Sequence, residues 1–188
     1  IYHWLYSVWG QRYCRYLCTK RYRKKPRKEN RTLRVMIPNR VDISLRPAGS
    51  ENRSRYGHFE GDTIVAPRHV QNTEAVAIAA DRKSKLLVGT RIPSLSPAQM
   101  TKAITYMKTQ VMMKSCTLDN GIENKHHEKW GVPAFFCEPH RPSQKPLIEG
   151  SIGLLRRWRF KKGTDWSTVN ESCLQNALSF LNHKYRKS

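Results

Sequence analysis

The sequence predicts an α/β fold, a mixed five-stranded sheet flanked by helices and preceded by a basic N-terminal arm. Three observations carry this expectation. Runs of β-forming residues joined by short polar turns fill 56–92, helical periodicity alternates with further strands after residue 96, and positive charge is dense before residue 55. At 188 residues the chain is long enough for one domain with its own core. Its apolar runs fall well short of the roughly 20 residues a membrane-spanning helix needs. Lys and Arg number 35 against 14 Asp and Glu, a formal net charge of +21. A surplus that large points to a polyanionic partner, nucleic acid before any other, while the short apolar runs point away from a membrane.

In chain order, Tyr2, Tyr6, Trp9, Tyr13 and Tyr16 recur at helical spacing and predict an aromatic helix within 1–19, which Gly10 weakens. A basic linker is expected over 20–54. Its stretch from Lys20 to Arg34 includes Arg23, Lys24, Lys25, Arg27 and Lys28 around Pro26, which breaks helix. Their mutual repulsion predicts an extended arm ordered on phosphates. Cys116, Cys137 and Cys173 sit in apolar or helical patterns and are expected as buried, reduced thiols. Cys14 and Cys18 stand four apart, which is one face of a helix or, with His3, the opening of a zinc site. The chain starts Ile1-Tyr2-His3-Trp4, without initiator Met or signal-peptide pattern, so it is expected to begin inside a longer reading frame.

The core is expected over 55–188. Tyr56 to Val65 alternates and is rich in β-formers; Thr73 to Ala80 and Lys85 to Ile92 are two more strands joined by the turn Asp81 to Ser84. Ser96, Pro97 and Gln99 open a helix with a capping box, and Met100, Ala103, Ile104, Met107 and Val111 line its apolar stripe. Lys114 to Asp119 is a fourth strand stopped by Asn120-Gly121. A brief helix over His126 to Trp130 precedes a fifth strand, Ala134 to Cys137. Pro146 to about Phe160 is helical through Ile148, Ile152 and Leu155. The last helix is expected to start at Thr168, boxed with Glu171, and to bury Leu174, Ala177, Leu178 and Leu181.

In so basic a chain the few carboxylates are informative. Asp62 falls mid-strand beside Gly61, Asp119 ends the fourth strand, and Glu149 sits in the first turn of a helix. Carboxylates so placed on neighbouring elements can clamp two divalent ions for in-line phosphoryl transfer, and hard oxygen ligands suit magnesium or manganese. Glu60 shares a strand face with Asp62 and either reaches this site or pairs with an Arg or Lys.

Gly57-His58-Phe59-Glu60-Gly61-Asp62-Thr63-Ile64, Thr117-Leu118-Asp119-Asn120-Gly121, Glu149 with Gly153-Leu154-Leu155-Arg156, and Lys162-Gly163-Thr164-Asp165-Trp166 stand in one order. In that order and spacing the chain resembles the DDE transposases of the insertion sequence 30 family. The resemblance implies an RNase H-like, retroviral-integrase-like core in which Asp62, Asp119 and Glu149 form the catalytic triad and hold two magnesium or manganese ions. Asn120, His140 and Gln144 lie close to that triad in sequence and are accessory candidates with Glu60. Arg156, Arg157, Arg159, Lys161 and Lys162 are expected on DNA phosphates, as is the arm.

The chain departs from the family pattern in three places. Ile148 and Gly150 flank Glu149 where the family has Asn, Asn124 follows Glu123 where the family has an aromatic, and 29 residues separate Asp119 from Glu149, a few fewer than in the family. The function expected is therefore a transposase catalytic core performing metal-dependent phosphodiester hydrolysis and strand transfer at transposon ends. A DNA-binding descendant with weakened or lost catalysis is the alternative, and a hybrid-specific nuclease a third. Double-stranded DNA is the expected partner, with a homo-oligomer assembled on it and a cytoplasmic, DNA-associated location.

Overall fold

The computed structural model describes residues 1–17, 37–67, 73–139 and 141–184. Cys18, Arg23, Lys24, Lys25, Arg27, Lys28 and His140 lie outside the described residues. The chain divides into two compact units, Ile1–Val35 and Met36–Ser188.

In the first unit the expected single helix is two short segments, α1 (Tyr2–Leu5) and a 3-10 turn over Gln11–Tyr16. The break falls at Gly10, where a Cβ would collide with the Trp4 carbonyl. Trp4 and Tyr13 pack ring to ring at 5.5 Å, and the buried Cys14 thiol donates to the Leu5 carbonyl at 3.2 Å.

In the second unit, residues expected in the linker fold against the sheet. Ile37 and Ile43 are buried, Asp42 caps a 3-10 turn by accepting from the Ser44 amide, and α2 (Ala48–Glu51) follows. The strands are β1 (His58–Val65), β2 (Ala75–Asp81), β3 (Leu87–Ile92), β4 (Ser115–Leu118) and β5 (Ala134–Phe136), in spatial order β3-β2-β1-β4-β5. The first three pair antiparallel; β4 and β5 join parallel to β1, as a meander followed by crossovers requires. β2 is buried at every residue because helices cover both its faces.

Two cores result. On one face Phe59, Ala77, Cys116 and Leu118 meet α3 (Pro97–Gln110) through Met100, Ile104 and Met107, with Ser96 accepting from the Gln99 amide as its cap. On the other face Ile64, Val76 and Ile78 meet α4 (Pro146–Trp158) through Ile148, Ile152 and Leu155, and α5 (Glu171–Asn182) through Leu174, Leu178 and Leu181. The expected cap at Thr168 is corrected. Thr168 ends a 3-10 turn, and Asn170 caps α5 by accepting from the Cys173 amide at 2.7 Å. Glu171 is thereby freed from a capping box and accepts from the Arg91 amide instead. Cys173, expected buried, is exposed on the outer face of α5; Cys116 and Cys137 are buried, and burial pushes their thiols up to about 12 and about 11.

Both sheet edges are occupied. At the β3 edge, α5 side chains take the backbone: Asn182 exchanges two hydrogen bonds with Leu87, Gln175 donates to the Gly89 carbonyl, and Glu171 takes the Arg91 amide. At the β5 edge, the Phe136 amide donates to the Val41 carbonyl and Asp42 bridges Phe136.

α4 is set on the sheet by a buried carboxylate. Glu60, fully inaccessible on β1, accepts from the amides of Leu147 and Ile148 in the first turn of α4 and pairs with the buried Arg82 of the β2–β3 turn. Arg82 also donates through Nε to the Ser50 carbonyl at 2.8 Å. Of the two readings of Glu60, ion pairing is the one realised. Glu60→Ala leaves Arg82 buried and uncompensated, so denaturant unfolding should show a loss of about 3–5 kcal/mol. The Glu60→Ala, Arg82→Met double variant should lose less than Glu60→Ala alone.

Candidate functional site

The parallel register of β1 and β4 pairs His58 with Ser115, Phe59 with Cys116 and Glu60 with Thr117. Continued by two residues it sets Asp62 beside Asp119, with both side chains on the α4 face of the sheet. Gly61 allows the strands to approach here, since a Cβ would stand 2.8 Å from Leu118 Cδ2 on the opposite face. Burial pushes the Asp62 carboxyl above the usual range and the charge of Asp119 adds to the rise. The Lys145 ammonium and the Thr63 amide pull the other way.

Two residues in this cluster were not singled out in the sequence. Glu123, in the 3-10 stretch Ile122–Trp130 after β4, is 7% exposed and accepts from Thr63 Oγ1 at 3.3 Å. Its carboxyl is raised by burial first, with Asp119 and Asp62 contributing, so three carboxylates share one field. A Cβ at Gly121 would collide with the Glu123 carboxylate, which gives the Asn-Gly turn a role beyond ending the strand. Lys145, 5% exposed just before α4, donates to the Gly61 carbonyl at 3.1 Å and lies 3.6 Å from Asp62 Oδ2. The motif D-N-G-x-E carries a signal for Glu123; nothing local marks Lys145.

The donor set is oxygen-rich. Asn124, 1% exposed, donates through Nδ2 to Asp119 Oδ1 at 3.2 Å and to its carbonyl, which leaves Asn124 Oδ1 buried without a hydrogen-bond partner. Asp62, Asp119 and Glu123 in mutual repulsion are hard oxygen ligands of the kind a divalent cation takes. As they stand, no three His, Cys, Asp or Glu side chains among the described residues are close enough to hold a metal ion together.

The other candidates are placed as follows. Glu149 is exposed in the first turn of α4 and shares an outer stripe with Gly153 and Arg156. Asn120 donates to the Cys137 carbonyl at 2.7 Å and ties β4 to β5. Gln144 accepts from the Glu138 amide and donates to its carboxylate, closing its own loop. Arg156, Arg157, Arg159, Lys161 and Lys162 are all exposed at the C-terminal end of α4, where Arg159 stacks on Phe180 at 4.1 Å.

Because Asp62 and Glu123 bind protons more tightly folded than unfolded, their favourable contribution is complete below their unfolded pKa and fades as pH rises through the folded values. Melting temperatures of the metal-free protein between about pH 4 and 7 should therefore shift in favour of Glu123→Gln or Asp62→Asn, relative to the parent, as pH rises. A constant difference would mean that neither carboxyl titrates upward.

No family model matches the chain. It is 31% identical over 180 residues to the transposase for insertion sequence element IS1086 of Cupriavidus metallidurans, covering 91% of this chain and 52% of that one. It is 28% identical over 161 residues to transposase InsI for insertion sequence element IS30A of Escherichia coli K12, covering 82% and 41%. The chain thus spans about half the length of the curated relatives it matches. Among solved structures, the catalytic core domain of BIV integrase matches with a TM-score of 0.52 and 18% identity over 70% of this chain and 87% of that one. The fold is that of retroviral integrase cores, and the resemblance to the insertion sequence 30 family is borne out over most of the chain.

Proposed function

We propose that this chain is the catalytic core of a DNA transposase, cutting phosphodiester bonds at transposon ends and joining them to target DNA. The observation that carries the reading is Asp62, in the middle of β1, in the same electrostatic field as Asp119, just past the end of parallel β4, in an integrase-type fold aligned with curated transposases.

Asp62 and Asp119 would hold the metal, with Glu149 completing the set from the first turn of α4. Glu123 shares the field of Asp119 and Asp62, and the amide nitrogen of Asn124 holds Asp119 by donating to its Oδ1. Two magnesium or manganese ions, when bound, would supply the Lewis acidity that activates the nucleophile and neutralises charge on the phosphoryl oxygens. Lys145 fixes the orientation of Asp62 and partly offsets its charge; Asn120 holds the loop bearing Glu123 against β5. Arg156, Arg157, Arg159, Lys161 and Lys162 would grip backbone phosphates along the end of α4, where their exposure leaves them available. In the first step water displaces the 3′-oxygen of the phosphodiester, freeing a 3′-hydroxyl. In the second that hydroxyl attacks a target phosphodiester, whose own 3′-oxygen leaves. The partner is double-stranded DNA, with assembly into a homo-oligomer on it. The DNA-binding descendant is not favoured, because the matched relatives are transposases and integrases.

Magnesium or manganese should raise the melting temperature and support plasmid nicking. In Asp62→Asn both responses should vanish while binding of duplex DNA persists. Metal-dependent nicking that survives Asp62→Asn would falsify the assignment. With a net charge of +21, duplex binding should also weaken with salt, with log K against log salt steeper than about −3.

A further inference from the structure

Beside the N-terminus of α4 the surface opens into a cleft of about 570 Å³ between residues 43–53, the β2–β3 turn and the loop before α4. Arg46, Arg53 and Arg82 all line it. The acids at its rim are engaged: Glu51 takes Arg46, Glu138 takes Arg141 and Gln144, and Glu60 takes Arg82 from behind. Two donors are left over. The Arg46 side chain is 8% exposed, yet its Nη1 is buried with no hydrogen-bond partner. Arg53 is exposed, presented by backbone at φ +56°, and has no ion pair among the described residues. Burial holds Arg82 below the ordinary guanidinium range, and the nearby charges of Arg46 and Arg53 deepen that shift against the pull of Glu60.

We propose that this cleft binds a backbone phosphodiester of the DNA strand that reaches Asp62 and Asp119, with Arg46 Nη1 and the Arg53 guanidinium as its donors. A guanidinium N–H buried without a partner is costly unless a ligand accepts from it, and planar guanidinium forks match phosphate oxygens. Position selects DNA over a free anion. Gln144 and Pro146 line the cleft on either side of Lys145, whose ammonium reaches Gly61 and Asp62. The cleft therefore lies within the reach of one lysine side chain from Asp62. The identity of the polyanion rests on the transposase reading; the existence of an anion site does not.

The test is fluorescence anisotropy with a random-sequence DNA duplex over a salt series. Arg53→Glu is compared with Lys102→Glu, an equal charge reversal at an exposed position on α3, across the sheet from α4. Arg53→Glu should weaken binding about tenfold more than Lys102→Glu and flatten the salt slope by about 1 further unit. Arg46→Lys keeps the charge facing Glu51 but removes the spare donor, and should weaken binding with an unchanged melting temperature. Equal losses in Arg53→Glu and Lys102→Glu would overturn the cleft while leaving the transposase reading intact. A parent protein that shows no salt-dependent duplex binding would overturn both.

Discussion

Three parts of the second unit meet at one buried carboxylate. Glu60 closes the first turn of α4, neutralises Arg82, and through Arg82 fastens the Ser50 carbonyl of α2. Helix N-terminal amides and a guanidinium can share one carboxylate because each side takes a different oxygen, Oε2 for the helix and Oε1 for Arg82. The strand position of Glu60 therefore sets where α4 begins. The placing of Lys145 against Asp62, and of Glu149 one turn into the helix, follows from that start.

The site beyond Glu60 is built on a different electrostatic principle. Glu60 has two kinds of cationic or dipolar partner, whereas Asp62 and Glu123 are left partly in conflict with Asp119 and with each other. Lys145 relieves part of the conflict from one side only, at 3.6 Å from Asp62. Two carboxylates on one strand face, two residues apart, thus stand in opposite surroundings: one is satisfied inside the protein, the other keeps a raised pKa in a partly repulsive field.

Most of the fold was legible because period and punctuation agree in this sequence. The alternation of 56–65, the box at Ser96, and the apolar spacing of Ile148, Ile152 and Leu155 each match an observed element to within a few residues. The start of α5 was misplaced because Thr168 and Asn170 both carry side-chain oxygens of the capping kind, and local sequence does not say which backbone turns extended. Residues 37–54 looked like a continuation of the basic arm, since two buried isoleucines among polar neighbours leave little periodic trace. In the candidate site, the nearness of Asp62 to Asp119 was legible from strand order. Glu123 and Lys145 join them through contacts about 60 and 80 residues apart in sequence, which no local pattern encodes.

The occupied sheet edges have a consequence for how copies of this chain can meet. A bare edge strand is a template on which any extended segment can add, whether from a partner or from a misfolded neighbour. Here Asn182, Gln175 and Glu171 mimic an absent strand along β3, and the Val41–Asp42 backbone does so along β5. Lateral growth of the sheet is closed in both directions. Copies brought close together are therefore protected, at both edges of this sheet, from the strand-to-strand stacking that leads to amyloid.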